Sequence, residues 1–367
     1  MRITILSPPF NLSGGLRVMA IYADRLTRRG HEVVVVAPPP AQRTFRQNVK
    51  SLIRGRGWVG RIPQGPSHFD SLDVDCRVLD RYRPVRDADV PDADVVVATW
   101  WETAEWAAGL APGKGTKILF TQGYEAFVSP FPERLDATWQ LPFQKIAVSQ
   151  WLVDLARERF GDDGSILVPN SADQVQFRAN PRSKNPRPTV GLLYSTSWYK
   201  GCEVSLRALE LCSRAIPDLH VVAFGNESPS RSLPLPPGSD FFLTPGQDKL
   251  RDIYALCDVW LCGSRSEGFH LPPSEAMACR CPVVSTRVGG PMDIIRDGVN
   301  GYLADIGDAE KLAERLIEVL RMPEESWRRL SDGALETVRQ YTWDDATDRF
   351  EAALLTALER QRHVPSR

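Results

Sequence analysis

No apolar run in this chain approaches the roughly 18 residues that cross a bilayer. The first residues, Met1-Arg2-Ile3-Thr4-Ile5-Leu6-Ser7-Pro8-Pro9, are too short an apolar stretch for a secretory leader. A cytoplasmic protein is therefore expected. Histidine is scarce: the five, at 31, 68, 220, 270 and 363, include no two with metal-ligand spacing. The seven cysteines (Cys76, Cys202, Cys212, Cys257, Cys262, Cys279, Cys281) are an odd set with no C-x-x-C, which argues against a disulfide framework or a zinc site. Charge of one sign is lacking as well. Lys plus Arg (45) and Asp plus Glu (46) leave a net charge of -1, so no global field draws the chain to nucleic acid. Three Asp-x-Asp triplets (Asp73 and Asp75, Asp87 and Asp89, Asp92 and Asp94) lie in polar loops or before strands and read as solvated turn residues, so no metal is expected.

What is present is enough for two cores: 367 residues at 43% hydrophobic exceed the roughly 250 to 300 residues at which one core stops growing. The opening reads as strand (Ile3 to Leu6), a loop ending Ser13-Gly14-Gly15, helix (Leu16 to Arg29), a Gly30-His31 stop and strand (Val33 to Ala37). Val18, Met19, Tyr22 and Leu26 fall on one helical face. The same pattern restarts at Thr189, with strand Val190 to Tyr194, loop Ser195 to Gly201, a helix to about Ile216 and strand Val221 to Phe224. Further strands are expected at Val95 to Ala98, Ile118 to Phe120, Ile146 to Val148, Ile166 to Val168, Phe241 to Leu243, Val259 to Cys262 and Val283-Val284. Alternating strands and helices predict an α/β protein with doubly wound parallel sheets. The proline-rich, polar segment 178–188 predicts a linker between domains 1–177 and 189–342. An amphipathic C-terminal helix, within 343–367, is expected to pack back on the first domain.

The most specific chemical signal is Ser266-Glu267-Gly268-Phe269-His270-Leu271-Pro272-Pro273-Ser274-Glu275, with two carboxylates eight positions apart. Apolar runs on both sides place it in a strand, loop, helix, strand unit. Glu267 then lies at a strand's carboxyl end, where such sheets bind ligands, and Pro272-Pro273 opens the helix carrying Glu275.

Glu267 to Glu275, Ser13-Gly14-Gly15, the RGHEVVVVAP stretch, the Pro169-Asn170 segment, Lys200-Gly201 and GVNGYL at Gly298 to Leu303 stand in an order that resembles glycosyltransferase family 4. The resemblance spans nearly the whole chain. It implies a GT-B fold, two Rossmann-like domains facing a central cleft, and retaining transfer of a sugar from a nucleoside diphosphate sugar. It implies no cofactor and no metal. Lys200 would meet the pyrophosphate, Glu267 the migrating sugar and Glu275 the ribose hydroxyls. Gly14, Gly15, Gly268, Phe269, His270 and Leu271 would add donor contacts, and His270 would either narrow the donor pocket or be a packed histidine. The family commonly has an arginine five positions before the lysine, and Ser195 stands there, so donors from Ser195 and Thr196, or Arg265, are candidate replacements. Many members also have a histidine where this chain reads Thr121-Gln122-Gly123-Tyr124-Glu125, which makes Gln122, Tyr124 and Glu125 acceptor, donor-sugar or packing residues. That stretch and Ala98 to Ala104 look like the rhamnosyltransferase-like, surface-polysaccharide subset. A catalytically silent nucleotide- or glycan-binding scaffold and a GT-B epimerase or phosphorylase stay open as alternatives.

Arg43, Arg46, Lys50, Arg54, Arg56 and Arg61 occur without an intervening acid and are interleaved with Phe45, Val49, Leu52, Ile53 and Trp58. Such a segment suits the anionic inner face of a membrane, and hence a glycan or lipid-linked acceptor, or else is a mobile basic loop.

Overall fold

The computed structural model describes residues 1–42, 45–55, 57, 58, 60, 62–126 and 129–362. The chain forms two compact units. One comprises Met1–Ala147, Val153–Val168 and the C-terminal stretch from Thr347; the other comprises Val148–Leu152 and Pro169–Ala346.

In the first unit, β1 (Arg2–Leu6), β2 (Glu32–Ala37), β3 (Asp75–Val78), β4 (Val95–Ala98), β5 (Thr116–Thr121), β6 (Gln144–Ala147) and β7 (Ile166–Leu167) make a parallel sheet ordered β3-β2-β1-β4-β5-β6-β7. In the second, β8 (Thr189–Leu193), β9 (His220–Gly225), β10 (Asp240–Leu243), β11 (Val259–Cys262), β12 (Val283–Thr286) and β13 (Gly301–Ala304) are ordered β10-β9-β8-β11-β12-β13. Strand order reverses between β1 and β4 and again between β8 and β11. These are the topological switch points, where the loops beyond the strand carboxyl ends diverge and leave a crevice.

The apolar runs form strands because both faces of each sheet are covered by helices. Along β11 the two-residue period sends Val259 and Leu261 into one core with Leu209, Leu312 and Trp327. Trp260 and Cys262 enter the opposite core with Tyr254, Phe177 and Met277. The first sheet is built alike, with Leu6, Val36, Val96 and Leu119 packed on Trp106 and Ala107.

Two strands escape the apolar pattern. All four residues of β3 are exposed, so Asp-Cys-Arg-Val carries no burial signal, and β13 is four residues opened by a glycine. The helix expected from Leu16 begins at Gly14, so both glycines belong to its first turn. Residues 178–188, expected as a linker, are docked within the second unit: Lys184 Nζ donates to the carbonyls of Leu320 and Met322, and the Asn185 N–H to Asp258. A polar, proline-rich composition fits that role because the segment's polar groups are satisfied by the domain it precedes.

Candidate functional site

The loops after β8 and β11 meet at the second switch point, and glycine lets them meet. Gly201 has φ +55°, and a Cβ there would be driven into the carbonyl oxygen of Gly263. With the backbones in contact, the Lys200 ammonium reaches both Glu267 carboxylate oxygens at 2.9 Å. Ser264 donates to Glu267 Oε1 at 2.7 Å. Glu267 is held from behind by Gly289-Gly290. Gly289 (φ +43°) is so close that a Cβ would lie 2.7 Å from the Glu267 carbonyl oxygen, and the Gly290 N–H donates to the Phe269 carbonyl at 3.0 Å.

Burial opposes charge on both partners, and their pairing prevails. Burial pushes the Glu267 carboxyl up, but His270, Lys200 and Ser264 together leave it below its ordinary value. Burial pulls the Lys200 ammonium down, and the adjacent carboxylate leaves it raised. The pair is ionised, with the lysine side chain 23% exposed and the glutamate side chain 7%. Two helices begin beside it, Cys202–Ala215 after Lys200-Gly201 and Leu271–Ala278 after His270. Their first-turn N–H groups and positive dipole ends add to the lysine's charge, so the crevice favours an anion.

His270 takes φ +69° at the N-cap of its helix. Its ring is buried, with Nε2 at 3.5 Å from Glu267 Oε1, and neither ring nitrogen has a hydrogen-bond partner. Gly268 and Phe269 present their carbonyls to Trp151 Nε1 (3.1 Å) and Gly290 N. Leu271 is the first residue of the helix, followed by Pro272 and Pro273, whose missing N–H groups cost nothing in the first turn.

Glu275 lies on the same helix, buried, and Tyr254 Oη donates to its Oε2 at 2.7 Å. It does not join the Lys200–Glu267 cluster directly. Tyr254 was not legible as a functional residue, because it sits among apolar residues of the Gln247–Ala255 helix with no motif around it.

The candidate replacements for the missing arginine are already engaged. The Thr196 N–H and hydroxyl donate to Glu227 at 2.6 and 2.8 Å, Ser195 Oγ accepts from Ser197 N, and Arg265 pairs with Glu203 at 2.7 Å while lying over the Trp198 ring. Glu227, from the loop after β9, thus holds the donors that the sequence assigned to an anion.

In the first unit, Gly14 and Gly15 open the helix after β1. A Cβ on Gly14 would meet nothing within 4 Å, and one on Gly15 would only touch the Gln122 amide at 3.6 Å. Tyr124 is a packing residue: its hydroxyl donates to Asp136, and its ring packs edge-on to Trp139 beneath the Arg159 guanidinium. Glu125 is partly turned toward the chain, with its Oε1 at 3.7 Å from a Cβ position on Gly123. The Asp-x-Asp acids meet cations instead of one another, as in Asp89 with Arg83, Asp92 with Lys114 and Asp94 with Arg2. Among the described residues, no group of three or more His, Cys, Asp or Glu side chains is arranged to hold a metal ion.

On the helix Phe45–Ile53, Asn48 and Ser51 are buried while Phe45, Leu52 and Ile53 are exposed, as are Arg46, Lys50, Arg54 and Trp58. Phe45, Leu52 and Ile53 thus point outward, while Val49 is half-buried. Arg43, Arg56 and Arg61 lie outside the described residues. Among the described residues, no helix is long and apolar enough to cross a membrane.

Comparison with known proteins agrees with this architecture. A family described as "Glycosyl transferases group 1" matches residues 173–336. D-inositol 3-phosphate glycosyltransferase 1 of Catenulispora acidiphila is 30% identical over 402 residues, covering 96% of this chain and 93% of that protein. Several relatives are matched over a segment only: N-acetyl-alpha-D-glucosaminyl L-malate synthase of Bacillus anthracis is 33% identical over 118 residues, 32% of this chain and 31% of its own length. Anabaena HepE, solved in complex with UDP-glucose, superposes with a TM-score of 0.71 at 17% identity, over 97% of this chain and all of that one. Two Rossmann-like units of this kind make a GT-B fold, and the chain belongs to the group 1 glycosyl transferases.

Proposed function

We propose that the protein is a retaining glycosyltransferase that moves a sugar from a nucleoside diphosphate sugar to a glycan or lipid-linked acceptor in surface-polysaccharide assembly. The observation that carries this reading is the ionised Lys200–Glu267 pair set between two helix N-termini at the β8/β11 switch point. The leaving group of such a donor is a pyrophosphate, and stabilising its developing charge is where an enzyme of this chemistry gains most. Lys200 and the helix N-termini supply that positive charge, so the reading needs no metal. Glu267 lies beside the anomeric carbon, and Glu275, aligned by Tyr254, accepts hydrogen bonds from the ribose hydroxyls. Gly14 and Gly15 leave open backbone at a helix start, suited to close approach by a phosphate. Gln122, whose amide lies beside Gly15, would then contact the sugar or acceptor. In a retaining front-face transfer the departing phosphate oxygen takes the acceptor proton, so no side-chain base is required, and the protein acts by positioning and charge.

The outward-facing Phe45, Leu52 and Ile53, with Arg46, Lys50 and Arg54 beside them, support contact with an anionic cytoplasmic membrane surface. Retention on anionic vesicles at low salt, lost at high salt, is the expected result; no retention at low salt removes the membrane.

A panel of sugar nucleotides, incubated with the protein in EDTA and assayed for nucleoside diphosphate release, tests the reaction. Slow release from one donor is expected even without acceptor. Lys200→Ala and Glu267→Ala should each reduce it at least a hundredfold, about 2.7 kcal/mol of barrier, while melting stays cooperative. Near-normal turnover in either variant sinks the assignment, and binding without release would instead mark a silent scaffold.

A further inference from the structure

Lys200 has two tasks that conflict. In this structure both Glu267 oxygens hold its ammonium at 2.9 Å. If Lys200 turns to a donor's diphosphate, Glu267 keeps Ser264 and loses its only paired cation, deep in the fold, where an uncompensated carboxylate is costly. His270 also stands beside it: Nε2 is 3.5 Å from Oε1 of that carboxylate, and the two ring nitrogens are buried without partners. A buried imidazole with both nitrogens unsatisfied calls for an explanation, and a left-handed backbone at a non-glycine residue is a further cost borne at this one position.

We propose that His270 is the relief partner of Glu267: when Lys200 moves to the diphosphate of the donor, the imidazole takes a proton from solvent and donates Nε2–H to Oε1, holding the carboxylate charged and in place. The inference rests on the donor-clamp reading of Lys200. Because its nitrogens are buried, His270 acts through Glu267 and is a positioning residue, not a contact of the substrate.

The electrostatics give the sign. Two charged groups act on the ring: Glu267, which favours the imidazolium, and Lys200, which opposes it. Cys262, close to both, has its thiol pushed well up by burial and is neutral. Burial foremost, with Lys200, holds His270 down at about 4, so the free protein carries a neutral ring near neutrality. Withdrawing the ammonium removes the repulsion and leaves the carboxylate's attraction unshared, which raises the pKa. A group whose pKa rises on binding takes up a proton, so donor affinity strengthens as pH falls from 8 toward 5 and levels off below about 4.

The test is calorimetric titration of UDP-glucose, GDP-mannose and ADP-glucose into the full chain at pH 6, in buffers of differing ionisation enthalpy. A nucleotide sugar has no phosphate group that titrates near neutrality, so any proton taken up belongs to the protein. Uptake of a fraction of a proton per site is expected, since burial still opposes the imidazolium while the carboxylate's attraction, no longer offset by Lys200, raises the ring's pKa from about 4. His270→Asn and His270→Gly both tolerate positive φ and should bind the donor with no buffer dependence and a flat pH profile. Binding without proton uptake in the natural protein, or uptake that persists in both variants, overturns the role of His270. Lys200→Met separates the two readings. Donor binding that is indifferent to that change, or absent throughout, overturns the donor clamp and this inference with it. Binding that depends on Lys200 but moves no proton overturns His270 alone.

Discussion

The two glutamates of the eight-residue spacing have different partners, and that difference fits the different work proposed for them. Glu267 is paired with a cation and a hydroxyl, whereas the buried Glu275 is oriented by a neutral phenol, Tyr254. If Glu275 accepts from the ribose hydroxyls, as proposed, the Tyr254 phenol is one of the donors that orient it. Tyr254→Phe deletes one donor to a buried carboxylate and nothing else of its shape. A hydrogen bond to a charged group is worth about 1.5 to 3 kcal/mol, so KM for the nucleotide sugar should rise on the order of tenfold or more, with kcat less affected. Glu275→Ala should raise it further. If Tyr254→Phe lowers the melting temperature and leaves KM alone, the tyrosine serves packing only.

At the scale of elements, the site is made by glycines that let loops touch. Gly201→Ala places a Cβ against the Gly263 carbonyl in a left-handed conformation, whose intrinsic penalty is about 1 to 2 kcal/mol before any displacement. The expected outcome is a loss of at least that much stability in denaturant unfolding, and a fall in transfer of tenfold or more as Lys200 and Glu267 separate. Gly14→Ala is the contrasting case. Nothing of the protein lies within 4 Å of the new methyl, so stability should hold or rise slightly while KM for the donor increases. An unchanged KM removes Gly14 from the donor's path.

This contrast also explains what was legible in the chain. Buried parallel strands such as β4 and β11 announce themselves as apolar runs, and Glu267 and Glu275 announce themselves by spacing, whereas Lys200 enters only through the family resemblance. β3 does not, because an exposed strand has no apolar period, and Gly289-Gly290 is visible only as a pair of glycines whose purpose depends on which backbone lies across from them. Tyr124 shows a related limit: the chain alone leaves it open as a sugar contact or a packing residue, and its partners Asp136 and Arg159, from helices elsewhere in the sequence, favour packing. Spacing along the chain reveals a motif, whereas pairing across elements decides what each side chain is free to do.

At the scale of the whole molecule, the chain ends where it began. The helix Trp343–Arg362 carries Phe350 into the first unit, where its ring stacks on Tyr22 at 4.3 Å and meets Phe120 edge-on at 5.2 Å. Glu351, the next residue, pairs with Arg29 at 3.0 Å and His31 at 2.9 Å, at the end of the first helix and the turn beyond it. Thus the first unit's core, begun by Tyr22 and β5, is completed only when the last helix has been made. Phe350 is fully buried, and its replacement by alanine opens a cavity bounded by two aromatic rings. Such changes typically cost about 3 to 5 kcal/mol. Hydrogen exchange on Phe350→Ala should therefore show β1 and β5 losing protection by up to that amount, while β8, β11 and β12, whose cores use other residues, keep theirs. If the second unit's lysine and glutamates hold the donor, as proposed, nucleotide-dependent stabilisation should survive in the variant. Equal loss of protection in both sheets would mean that the two units unfold as one, and that the last helix stabilises the entire chain instead of closing a single core.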